Sequence, residues 1–315
     1  MAVAYAGEIA AFGTVLCWTV GSQCFEAAGK KVGSLTVNLL RLILAFGAFC
    51  VTLTLARGYP VPLDFPARAW GTLALSGLVG FTLGDLCLIR SFVEIGPRVA
   101  MLIMTLAAPI SAVIGWAWLG EDYSARQWCG MGVTLSGVAW VVLDRPAGSG
   151  FPSGEDPGRG RRRVRRMTPR GVALALVGTV GQAVGYVLSK YGMRSGGVFL
   201  DPFAATQIRV MAGGIGFVVL FFLLRRWNSV WVSLRDGRAM AFMTAGAIAG
   251  PYLGVSLSLL ALHYTSTGVA ATITALVPVV LIPSVVLINR EHVSARAAIG
   301  AAVAVGGVAL LVFGT

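Results

Sequence analysis

The side chains of this chain best suited to chemistry are a few ionisable and aromatic groups set inside long apolar stretches. Asp85 sits in the run Thr82-Leu83-Gly84-Asp85-Leu86-Cys87-Leu88. Arg41 and Arg209 each lie about two helical turns inside an apolar segment. Charges in apolar surroundings are costly and concentrate where substrates, protons or counter-charges are handled. Asp85 can serve as a proton-coupling acid or as a partner for Arg41. The two arginines can clamp a phosphate or carboxylate, or only fix the depth of their helices. Glu26 is a second candidate for ion coupling, and Lys190, which aligns with it, offers a possible charge partner. Trp18, Gln23, Gln182, Tyr186, Tyr252 and His263, joined by Tyr264, supply aromatic faces and hydrogen-bonding groups for recognising a substrate.

Membrane helices must position these residues. With 57% hydrophobic and 12% charged residues and a mean hydropathy of +0.80, the composition excludes a soluble protein. Charges, prolines and glycines divide the chain into ten apolar segments, at 7–28, 35–56, 68–92, 97–119, 124–144, 170–190, 203–225, 238–262, 266–288 and 294–314. A span needs about 20 apolar residues. Helices follow because lipid offers backbone amides no other partner. The expected fold is an all-α membrane protein of ten transmembrane helices.

The ten segments form two sets of five. Glu121-x-x-Ser124-Ala125-Arg126-x-x-x-Gly130, running on to Gly137, returns as Glu291-x-x-Ser294-Ala295-Arg296-x-x-x-Gly300, running on to Gly307. Gly7, Val20 and Gly21 match Gly171, Val184 and Gly185, and Arg41 matches Arg209. Ser76, Gly80 and Gly84 match Gly246, Gly250 and Gly254, and Pro109 matches Pro278. Residues 7–144 and 170–314 are therefore two repeats, joined by a Gly-, Pro- and Arg-rich linker at 145–169. An odd number of helices per repeat makes the second enter the membrane from the opposite face, giving an inverted repeat of the kind found in secondary transporters.

Each recurring feature has an architectural reading beside a functional one. The small-residue ladders permit close helix packing, or line a cavity with backbone. Pro109 and Pro278 are candidate hinges, or plain kinks. The repeated turn reads as architecture, with Ser124 and Ser294 as N-caps, Gln127 completing a capping box, and Gly130/Gly137 and Gly300/Gly307 forming a packing seam. The repeats differ at Asp85 against Val255, Trp18 against Gln182, and Glu26 against Lys190.

The net charge of +12 is a topology signal before it is a nucleic-acid signal. Loops on the linker's side carry 18 of the 25 Lys and Arg, and those on the other side carry five. That count puts the linker in the cytoplasm and both termini outside a cell (inner or plasma) membrane. The N-terminus lacks the basic region of a cleavable signal, so 7–28 reads as a retained span. Cys17, Cys24, Cys50, Cys87 and Cys129 read as small buried residues, not as a disulfide or metal framework.

The Leu119-Gly120-Glu121 turn, the Gly130 to Gly137 helix, Pro109 and Arg41 resemble the drug/metabolite transporter superfamily in its ten-helix form with two EamA-type domains. The diverged second turn is Asn289-Arg290-Glu291. The resemblance implies alternating-access transport of a small polar or amphipathic metabolite, with export of amino acids or similar compounds as the expected activity. The alternative is a flippase or exchanger for a phosphorylated or lipid-linked substrate, favoured by Arg41, Arg209 and the basic face. Ten-helix members are expected to keep both termini in the cytoplasm, opposite to the charge count. Relatives built from four-helix subunits carry a glutamate in the centre of their first helix, where this chain has Trp18. An enzyme is not expected, since no paired aspartates occur and the two histidines, His263 and His292, are far apart. The expected partners are a small-molecule substrate and membrane lipids, with no nucleic acid, no cofactor and no metal, in a monomer or homodimer.

Overall fold

The computed structural model describes residues 5–95, 97–144, 168–195, 198–281 and 295–313. The second copy of the turn, at Glu291 to Ser294, and nearly all of the linker lie outside the described residues. The first repeat runs α1 (Ala6–Val32), α2 (Ser34–Arg57), a third span, a fourth span and α7 (Ala125–Asp144). The third span is α3 (Ala67–Gly77), a π-helical segment (Leu78–Gly84) and α4 (Asp85–Ile95); the fourth is α5 (Pro97–Met104) and α6 (Ala107–Leu119).

The second repeat follows the same plan. It comprises α8 (Pro169–Met193), α9 (Pro202–Leu224), an eighth span, a ninth span and α14 (Ala295–Phe313). The eighth span is α11 (Gly237–Ala247), a π-helical segment (Ile248–Gly254) and α12 (Val255–Tyr264); the ninth opens with α13 (Thr267–Thr274) and resumes over residues 277–281. A short helix, α10 (Trp227–Leu234), and a two-residue antiparallel pair, β1 (Arg194–Ser195) with β2 (Val198–Phe199), complete the described residues. Ser34–Arg57, Ala67–Ser91, Pro169–Met193, Pro202–Leu224 and Gly237–Tyr264 are each long and apolar enough to cross a membrane. Their outer faces are apolar, with Leu55 82% and Leu223 75% exposed to what must be lipid.

Two irregularities recur at matched places. Each third span of a repeat widens into a π-helical segment over its small-residue ladder, ending just before Asp85 or Val255. Gly and Ser leave the backbone there thin enough for another helix to cross, and π turns are frequent at functional sites. Each fourth span breaks. Leu106 N–H bonds back to Ile103 O and Leu276 N–H to Ile273 O, both at 3.0 Å, before the helix restarts. Pro109 and Pro278 lie in the first turn after each break, where a missing N–H is tolerated.

The repeats exchange partners. α1 packs on α11, α12 and the π segment between them, while α8 packs on α3, α4 and theirs. A methyl group placed on Gly21 would meet Gly250 N at 3.2 Å, and one on Gly185 would meet Gly80 Cα at 3.4 Å. Gly21 matches Gly185 and Gly250 matches Gly80, so the two contacts are the same contact turned over. The terminal helices α7 and α14 form the seam expected of their glycines: a methyl on Gly130 would meet Leu311 Cβ at 2.8 Å, and one on Gly300 would meet Val141 N at 3.1 Å.

The cysteines are less buried than their sequence surroundings imply. All five are free thiols, but among them only Cys87 is buried, and Cys129 is exposed. Cys129 sits on an outward face of α7, where a small apolar side chain can meet lipid as readily as core.

Candidate functional site

A cavity of about 830 Å³ lies between the repeats. Its mouth is at the linker face, among Gly33 and Ser34 at the α1–α2 turn, Arg90 and Glu94 at the end of α4, and Arg226 after α9. It runs inward past Arg41, Asp85 and Gln182 to a floor at Arg209, Tyr186, Ser258 and Thr274. Volumes of this size suit a metabolite-sized ligand.

The polar centre is built from both repeats. Asp85 Oδ2 pairs with Arg41 Nη2 from α2, and Asp85 Oδ1 accepts from Gln182 Nε2 of α8 at 2.9 Å. Gln182 Nε2 also donates to Gly80 O at 3.1 Å, a carbonyl of the π segment. The differences between the repeats are therefore concerted. Gln182 and Asp85 make one helix crossing polar, whereas Trp18 and Val255, their counterparts, leave the other apolar and also line the cavity.

Arg209, 4% exposed, reaches the cavity floor from α9. Its guanidinium carbon stands 5.1 Å from the Phe81 ring centroid. Its Nη2 lies beside Gly80 and Gly185, where a methyl on either glycine would stand at contact distance, 3.5 and 3.7 Å. Arg209 Nε and Nη1 are buried and have no hydrogen-bond partner among the described residues.

A second ionic cluster closes the face that bears the termini. Lys190 Nζ lies 2.7 Å from Glu121 Oε1 and donates to Thr265 O at 2.6 Å. Glu121 accepts from Thr267 N and Oγ1 at 2.9 and 2.8 Å, and from Tyr123 Oη at 2.5 Å. Tyr123 Oη in turn accepts from Gly268 N at 3.0 Å. Lys190 is 3% and Glu121 7% exposed, so both charges are desolvated. Lys190 follows Tyr186 by one helical turn on α8, which sets this cluster directly beneath the cavity floor.

Sequence reasoning treated the Glu121 turn as architecture alone and considered Glu26 as a partner for Lys190. The capping box does form: Ser124 N donates to Gln127 Oε1 at 2.9 Å and Gln127 N to Ser124 Oγ at 3.3 Å. Glu121 just before it, however, bonds across to the second repeat. Inversion explains the partner, because residues aligned near the ends of α1 and α8 lie at opposite membrane faces. The Glu26 side chain lies outside the described residues.

The remaining candidates are divided by position. Trp18 and Pro278 line the cavity, while Pro109 adjoins the lining residue Ala108. Gln23 donates to Thr19 O in its own helix at 3.3 Å. Tyr252 Oη lies 2.7 Å from Thr52 Oγ1, and its ring is 4.7 Å from Phe49. The His263 ring is 4.1 Å from Phe199, beside the β pair. None of these last three side chains is part of the cavity lining.

Ten membrane helices in two inverted sets of five, with a cavity between them, define a secondary-transporter fold. The EamA-like transporter family matches the chain twice, over residues 5–143 and 169–313, one match for each repeat, and the chain belongs to that family. A solved structure described only as "Crystal structure of protein" is similar, with a TM-score of 0.69 and 18% identity over 96% of this chain and 95% of that one, a likeness in fold. No curated protein matches.

Proposed function

We propose that the protein is a secondary transporter of the drug/metabolite type that moves a small polar or amphipathic metabolite, amino-acid-like in size, by alternating access through the central cavity. The observation that carries this reading is a cavity with a polar centre between the repeats, reaching one face and closed from the other by the Glu121–Lys190 cluster. Alternating access needs two such closures, one made while the other is broken. The Arg41–Asp85–Gln182 group is the substrate and coupling centre, Trp18, Tyr186 and Arg209 complete the binding surface, and the breaks before Pro109 and Pro278 are the hinges.

The basic residues of the linker face support a cytoplasmic position for that face in a cell membrane. The mouth then takes up solute from the cytoplasm, and net movement is export. Reporter fusions test the orientation: a fluorescent protein inserted at Gly154 is active in the cytoplasm and one after Thr315 is not; the opposite pattern reverses the proposed direction. Counterflow in proteoliposomes tests transport: preloaded amino acids or organic acids drive uptake of the labelled solute, and Arg41→Ala abolishes it. Identical uptake with and without protein, across such a panel, refutes the reading.

A further inference from the structure

Arg41 and Arg209 occupy matched places in the two repeats, but only Arg41 makes a direct ion pair among the described residues. Arg41 shares the charge of Asp85. Arg209 has no ion-pair partner among the described residues, and two of its buried nitrogens donate to nothing. Both acidic groups of the lining among the described residues are already engaged. Asp85 holds Arg41 and Gln182, and Glu94 at the mouth holds Arg170 at 3.4 Å and accepts from Thr168 Oγ1 at 3.3 Å. Among the described residues the inner cavity therefore has one uncompensated positive charge and no carboxylate free to receive an ammonium group. A desolvated cation without hydrogen-bond partners is strongly unfavourable, and an anion seated on it removes that penalty.

We infer that Arg209 is the docking point for the single negative charge of the substrate, and that the solutes taken are soluble amphipathic monocarboxylates lacking a free ammonium group. This rests on the cavity being the transport site. One negative charge neutralises the inner cavity, whereas a phosphate monoester dianion leaves an excess charge in a poorly solvated space. The remaining surface suits an apolar or aromatic body: Trp18, Phe25, Phe81 and Tyr186 line it, with Met101 and Met104 as adaptable neighbours. Arg90 and Arg226 at the mouth add positive potential that draws anions inward. An α-amino acid would bring its carboxylate to Arg209 but find no free carboxylate among the described residues for its ammonium unless it displaced Arg41 from Asp85.

A matched set of probes reads this directly. The purified full chain in neutral detergent is titrated with indole-3-propionate, with its primary amide, and with tryptophan, which has the same skeleton plus an ammonium group. The carboxylate binds about tenfold or more tighter than either, as expected for a charge-assisted contact. In Arg209→Gln the three bind within about twofold of one another, and Arg209→Lys retains a preference for the carboxylate. Equal binding of the amide, tighter binding of tryptophan, no saturable binding of any probe, or a preference that survives in Arg209→Gln overturns the inference. So does phosphatidylglycerol that occupies the site and is not displaced by indole-3-propionate, which assigns the charge to a lipid headgroup. If the carboxylate binds as described yet never crosses a proteoliposome membrane, the transport reading fails and the docking point stands. If other solutes cross without any carboxylate preference, the reverse holds.

Discussion

Lys190 Nζ lies 2.7 Å from Glu121 Oε1, and this buried ion pair joins the turn before α7 in the first repeat to α8 in the second. The threonine at the start of α13 adds its N–H and hydroxyl to the same carboxylate, so three segments from two repeats are held at one point. Breaking one partner of a buried pair strands the other charge, which costs about 3–5 kcal/mol. Lys190→Met or Glu121→Gln alone therefore lowers the melting temperature in detergent markedly, and the double variant recovers most of the loss. Additive losses in that cycle would show that the two charges do not depend on each other.

The same pair has a defined response to acid. Burial pushes the Glu121 carboxyl up, but the Lys190 ammonium and the hydrogen bonds from Tyr123 and Thr267 outweigh it and hold the carboxyl below its ordinary value of 4.5. With the folded value below the unfolded one, the stabilisation is fully present above the unfolded value and is lost as pH falls through the depressed folded value. Melting curves of the native chain and of the Glu121→Gln/Lys190→Met variant, compared between pH 3 and pH 8, differ by a constant offset at neutral pH. The offset changes only in the acid range. A change centred near pH 7 would contradict this assignment.

Asp85 is expected to couple solute movement to protons, since among the described residues it alone supplies a carboxyl group at the polar centre of the cavity lining. In Asp85→Asn, a pH gradient across the proteoliposome no longer alters uptake, and the rate falls about tenfold or more through the unpaired Arg41. Solute counterflow measured with and without an imposed gradient checks both effects. An unaltered gradient dependence would remove Asp85 from the coupling step.

The seam between α7 and α14 makes a prediction about stability alone. A side chain on Gly137 would collide with the Ala304 backbone, whereas Gly132 on the same helix faces open space. Gly137→Val lowers stability by about 1–3 kcal/mol or more through overpacking, and Gly132→Ala changes it by less than about 0.5 kcal/mol. Thermal melts of both variants in one detergent settle the comparison, and equal melting temperatures would refute the seam.

The doubling and inversion were legible because the glycine ladders, the matched arginines and the repeated turn must recur wherever the same helix crossing recurs. Gly21 against Gly250 and Gly185 against Gly80 show that these positions bring two helix backbones into close approach, where small residues recur. The π segments were hidden, since a wide turn over Gly80 or Gly250 leaves no periodic mark that separates it from ordinary helix. The breaks before Pro109 and Pro278 were visible only as prolines. The role of Glu121 was missed because its partners, Lys190 and Thr267, are distant in sequence and belong to the other repeat. The candidates Gln23, Tyr252 and His263 were polar groups in apolar runs, a signal that also marks local bonds such as Gln23 to Thr19 and Tyr252 to Thr52.

The central claim, that one cavity opens in turn to each face, is tested most directly by sided labelling of a cysteine at the floor. Thr274→Cys in a chain whose five native cysteines are replaced reacts with a membrane-impermeant maleimide supplied from the linker face, and more slowly from the face of the termini. Removing the Glu121–Lys190 pair with Glu121→Gln/Lys190→Met speeds reaction from the face of the termini and slows it from the linker face. Labelling from the linker face alone, unchanged in both backgrounds, would describe a blind pocket and contradict alternating access.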